Sequence, residues 1–116
     1  MKLFSFLFLF MCFSFFAHGQ TNMKFYEDTA LMKQEVLSRI PVGTDTAAAR
    51  QIMLKSKFDF AGNYLNQPFL YGGNIDFLFF IHDEGAIFCM DRWKVALVYK
   101  NGIVTGVQVQ FVVICL

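Results

Sequence analysis

Two stretches near the C-terminus, residues 93–100 and 103–116, are dense in alternating apolar residues on either side of Asn101-Gly102. This is the pattern of two antiparallel strands joined in a hairpin, and it constrains their register. The apolar positions are Trp93, Val95, Leu97 and Tyr99 in the first and Val107, Val109, Phe111 and Val113 in the second. All are odd-numbered. Side chains alternate strictly along a strand, so one face collects both sets only when odd residues pair with odd. A two-residue Asn-Gly loop pairs Lys100 with Ile103 and sets odd against even. A three-residue loop, Lys100-Asn101-Gly102, pairs Tyr99 with Ile103 and buries both sets together. Burial along whole strands outweighs the turn preference, so the three-residue loop is expected, with Trp93 buried beneath helices opposite Val109 or Phe111.

The same parity places Cys89 and Cys115 on one face. In the simplest register Cys89 faces Val113 and Cys115 lies diagonally beyond it. A one-step shift, such as a bulge within residues 90–92, makes the two cysteines direct neighbours. A disulfide then becomes feasible, since it needs Cα atoms roughly 4.4–6.8 Å apart.

Residues 1–19 have the three parts of a secretory signal: Lys2, an apolar run over residues 3–16, and Ala17-His18-Gly19 with small residues where signal peptidase cuts. The run is shorter than the roughly 20 residues a membrane-spanning helix needs, so no stable span is expected after cleavage. Cys12 follows Phe10-Met11 inside that run and lacks the small residues that precede a lipid-modified cysteine. Cleavage leaves residues 20–116 as one exported domain, periplasmic or secreted, with Cys89 and Cys115 in an oxidising compartment. Its charge is balanced, because the ten basic residues less Lys2 equal the nine acidic ones. Nucleic-acid binding normally needs a basic face, so that class is disfavoured.

The remaining elements follow from periodicity. Residues 20–24 read as a loose polar lead-in. Phe25, Met32, Val36, Leu37 and Ile40 fall at helical spacing, and Ile40-Pro41 ends that helix. Thr44 or Asp45 caps a second helix reaching about Ser56. Residues 58–60 form a short extended piece, residues 62–74 a connection, and residues 75–82 a strand that Asp83-Glu84-Gly85 stops. The predicted fold class is α+β, a helical hairpin packed on one face of a three- to four-stranded antiparallel sheet.

His82-Asp83-Glu84 is the one cluster with acid–base or metal character, and Cys89 with His82 is the one nucleophile–base pair. A solvated turn and a structural cysteine are the alternatives. Gly43-Thr44 lacks the lysine and flanking glycines of a phosphate loop. No cofactor motif is present. The even-numbered face of the sheet, with Leu78, Phe80, Val98, Gln108 and Gln110, mixes apolar and polar groups as a protein-binding surface does. The alternative is that a loop near residues 64–71 covers it.

The Val42-Gly43-Thr44 turn, Ala48 and Ile52 in the second helix, and Trp93-Lys94-Val95 leading to Asn101-Gly102 carry a resemblance. They resemble the superfamily of small exported proteins that includes the SmpA/OmlA family and β-lactamase inhibitor protein. The resemblance implies two helices on a curved antiparallel sheet and action by binding proteins. The chain departs from it in having no lipid-bearing cysteine. The functional expectation is a non-catalytic protein-binding or envelope-accessory module. The alternatives are a small hydrolase-like enzyme using His82, Asp83 or Cys89, and a self-associating structural subunit.

Overall fold

The computed structural model describes residues 22–85 and 87–116; the expected signal, residues 1–19, lies outside the described residues. Two helices, α1 (Thr29–Arg39) and α2 (Thr46–Lys55), precede four strands. The strands are β1 (Asp59–Pro68), β2 (Asn74–Gly85), β3 (Cys89–Lys100) and β4 (Ile103–Cys115). They form one antiparallel sheet in chain order, β1-β2-β3-β4. The fold class is α+β, as expected.

α1 starts later than the apolar spacing predicts because Asp28 is its cap: the carboxylate accepts from the amides of Ala30 (2.9 Å) and Leu31 (3.2 Å). Phe25 is thereby freed to pack elsewhere. The lead-in is also tied down rather than loose. Lys24 donates its amide to Glu35, the Arg39 guanidinium donates to the Asn22 carbonyl, and Met23 is buried. α2 is capped by Asp45 and ends in a Schellman turn, with Phe58 N–H bonded to Met53 O and Lys57 N–H to Leu54 O. Lys57 takes the left-handed position there, at φ 73°.

The helices cover one face of the sheet with Met32, Val36, Ile40, Ala49 and Met53, all fully buried. Opposite them lie Leu78 and Phe80 of β2, Trp93, Val95 and Leu97 of β3, and Val104, Val107 and Val109 of β4. Trp93 is buried and faces Phe111, as the alternation requires. Its roof is the lead-in: indole Nε1 donates to the Tyr26 carbonyl at 2.7 Å and Phe25 packs beside the ring. Among the described residues no helix is long and apolar enough to cross a membrane.

The β3–β4 turn differs from the expected three-residue loop. Lys100 pairs with Ile103, and Asn101 and Gly102 both have positive φ, 54° and 75°, so the two-residue type I′ turn forms. Parity is restored further along. Pairing jumps from Tyr99–Val104 to Val98–Gly106, leaving Thr105 without an opposite residue. Beyond this bulge Trp93 meets Phe111, Val95 meets Val109 and Leu97 meets Val107. The bulge stands beside the turn, not within residues 90–92, and it also brings Cys89 directly opposite Cys115. Those cysteines form a disulfide, Sγ–Sγ 2.05 Å, with Cα atoms 4.0 Å apart, closer than the expected span because the two residues face each other directly across the ladder.

Two further expectations are corrected by β1 and β2. β1 is a ten-residue strand where a short piece and a connection were expected; its polar residues and two irregularities, after Phe60 and after Tyr64, hide any alternation. β2 runs through Asp83-Glu84 to Gly85, where Gly85 is required because a Cβ would stand 2.5 Å from the Met90 Cα. The β2–β3 hairpin pairs even with odd: Leu78–Leu97, Phe80–Val95, His82–Trp93. Leu78 and Phe80 therefore face the helices and not the open face expected for the even-numbered positions.

Two measurements check this core. Trp93→Ala should lower unfolding free energy by about 3–5 kcal/mol in denaturant titration, the range for deleting a large buried aromatic. The oxidised chain of residues 20–116, denatured without reductant, should titrate no free thiol. Cys89→Ser with Cys115→Ser should lower its stability by about 3 kcal/mol, given the 26-residue separation.

Candidate functional site

Successive side chains of a strand point to opposite faces, so β2 separates the members of His82-Asp83-Glu84. His82 and Glu84 share the helix-covered face, and His82 is buried. Its ring stacks on Phe25, centroids 3.9 Å apart, with Phe58 and Trp93 also packed around it. Nδ1 donates to the Lys57 carbonyl at 2.8 Å, the residue in the left-handed turn after α2. Nε2 stands 2.9 Å from Glu84 Oε2. Each ring nitrogen of His82 has an oxygen within hydrogen-bonding distance. The histidine thus clasps the lead-in, the end of α2 and β2 into one unit.

Asp83 lies on the other face, where Arg92 grips its carboxylate through Nε at 2.7 Å and Nη2 at 2.9 Å. The hydrogen bond to Arg92 holds the Asp83 carboxyl below its ordinary value of 3.8, against a smaller opposing effect of burial. Cys89 carries no thiol, being half of the disulfide. The structure therefore does not bring His82, Asp83 and Cys89 together. Among the described residues no group of three or more His, Cys, Asp or Glu is arranged to hold a metal.

The face opposite the helices is largely occupied. Phe69 packs edge-on to Phe77 and Phe79, and Tyr64 stacks on Phe77. Gln108 is buried, accepting from the amides of Leu70 (3.0 Å) and Tyr71 (3.4 Å) and donating to the Tyr71 carbonyl (2.9 Å). The loop after β1 thus seals a small second core over Phe77 and Ala96. Of the five residues expected on a partner face, Leu78 and Phe80 are in the main core and Gln108 holds this loop. Val98 and Gln110 remain half-buried on the second face.

Among the described residues the three most exposed large apolar side chains, Leu116, Ile87 and Phe88, lie at the far end of the β2–β3–β4 ribbon. Ile87 is 82% exposed, Phe88 74% and Val113 56%, with Met90, Ile114 and Leu116 beside them in the same hairpin ends. The Cys89–Cys115 disulfide and a bond from Leu116 N–H to Phe88 O (2.8 Å) hold this end together. The sequence carried a signal for it: residues 86–90, between the apolar run of β2 and that of β3, include no charged or strongly polar residue, where turns normally carry Asn, Asp or Ser.

No family model, curated protein or solved structure matches the chain.

The Asp83–Arg92 pair predicts a pH signature. Because the folded carboxyl titrates below its unfolded value, its contribution is complete above about pH 4 and is lost as pH falls through the folded value. Both groups are partly solvated, so the effect is modest and salt-sensitive. Asp83→Asn should destabilise the protein slightly at neutral pH, and the difference from wild type should vanish in acid. Thermal melts across pH at low and high salt check this.

Proposed function

We propose that the chain is an exported, periplasmic or secreted, non-catalytic module that binds another protein through the apolar end of its ribbon. The observation that carries this reading is the exposure of Ile87, Phe88 and Val113 around a cross-linked strand end. Contiguous apolar groups on a surface favour a protein partner, and large residues such as Phe88 make effective anchors because their burial on binding removes much area from water. A disulfide that holds the apolar groups in fixed array reduces the ordering needed on association. It also suits the oxidising compartment to which the N-terminal signal directs the chain. The resemblance to small exported proteins of the SmpA/OmlA and β-lactamase-inhibitor type points the same way. The engagement of His82 by Lys57 and Glu84, and of Asp83 by Arg92, favours binding over hydrolysis.

The test is affinity capture from an envelope extract with the oxidised exported chain and with Ile87→Ser/Phe88→Ser. Both side chains are largely solvent-exposed, so the variant should melt as wild type does. A partner retained by wild type and lost by the variant is expected. Equal retention by both would reject the ribbon end as the binding surface.

A further inference from the structure

We infer that β4 pairs edge to edge with β4 of a second copy of this chain, over residues 109–113. The inference stands on backbone geometry and does not depend on the ribbon-end reading.

Both edges of an open sheet expose backbone hydrogen-bonding groups, and proteins usually blunt them. The β1 edge is blunted: it begins at Asp59, ends at Pro68, and is broken by two register irregularities with Asn66 at positive φ. The first part of the β4 edge is also covered. Val104 exchanges bonds with Gly43 N–H and Thr44 O, both 2.8 Å. Lys33 of α1 meets the Tyr71 hydroxyl at 3.2 Å beside Thr105 and Gly106. Among the described residues the cover stops beyond this point.

The register says which groups are left. Leu116 N–H bonds Phe88 O, and in an antiparallel pair hydrogen-bonded and non-hydrogen-bonded positions alternate. Hence Ile114, Val112 and Gln110 bond to β3. Val109, Phe111 and Val113 turn their N–H and C=O groups outward. The narrow 4.0 Å Cα spacing at Cys89–Cys115 agrees, since that pair must then be non-hydrogen-bonded. Among the described residues nothing takes the outward groups of Val109, Phe111 or Val113.

A second copy is the occupant because the strand complements itself. In two-fold antiparallel pairing each residue meets the one equally far on the other side of the centre. A charge on the strand would then face a like charge or an apolar side chain; residues 103–116 contain no charge and no proline. Centred on Phe111, the pairing sets Val109 opposite Val113 and Gln110 opposite Val112. It keeps the apolar 109-111-113 set of both copies on one face, and it satisfies every outward group in that span.

Sedimentation equilibrium of the oxidised exported chain should show a concentration-dependent dimer. Val113→Pro removes an outward N–H while leaving the β3 ladder intact, as edge prolines do. It should weaken the dimer about tenfold or more, on the ordinary worth of the two bonds lost across a two-fold axis. Leu65→Lys on the β1 edge and Ile87→Ser/Phe88→Ser at the ribbon end should leave dimerisation unchanged. In wild type, amide exchange at Val109, Phe111 and Val113 should slow as concentration rises. A chain monomeric at all concentrations overturns the inference. So does a dimer in which those amides exchange as freely as in the monomer, or protection that appears only when an extended peptide is added.

Discussion

The structure depends on one extra residue. Asn101-Gly102 is best satisfied by a two-residue turn, whereas the alternation of β3 and β4 needs odd residues to face odd. Both demands are met because Thr105 bulges out of β4 immediately after the turn. That shift puts Trp93 against Phe111, brings Val95, Leu97, Val107 and Val109 beneath the helices, and aligns Cys89 with Cys115. Gly106 follows the bulge with open space around its α-carbon, so no side chain crowds the irregularity. Without it, a strand's worth of valines would turn to the second face.

What was legible in the sequence was set by alternation, and what was not was hidden wherever both faces are covered. β3 and β4 each have one face in the main core, so their odd positions announced the core and put Cys89 and Cys115 on one face. β2 is apolar on both faces, because Leu78 and Phe80 meet the helices while Phe77 and Phe79 meet Tyr64 and Phe69. A strand buried on both faces shows no alternation, and its register rested on the hairpin at Gly85, where a two-faced run offers no parity argument. β1 was hidden for the opposite reason: its bulges and polar residues erase the period. The disulfide is legible as a possibility, but the bulge that permits it stands beside the turn and not within residues 90–92, because turn chemistry and strand burial are both satisfied there.

The candidate site shows the same division. His82-Asp83-Glu84 looked like a single cluster in one dimension. In three it splits into a buried clasp and a surface ion pair, because neighbours on a strand look away from each other. The partner of His82 was in plain view two residues along, at Glu84. The roles of Phe25 and Lys57 could not be read, since they depend on where the lead-in and the end of α2 return to the sheet. Likewise the loop holding Gln108 spends the apolar character of the second face internally, which moves the accessible apolar surface to the ribbon's end.

The cross-link has a mechanical consequence. β4 is the last strand and an edge strand, so tension applied at Leu116 would ordinarily peel it from β3 one rung at a time, the weakest way to load a ladder. The Cys89–Cys115 bond sits one residue inside the Leu116–Phe88 hydrogen bond, so such a force meets it after a single rung. Load entering at the C-terminal end passes covalently into β3, a central strand paired on both sides. The hairpin between the cysteines is thereby shielded from unzipping, and its covered and uncovered edge segments stay aligned under strain.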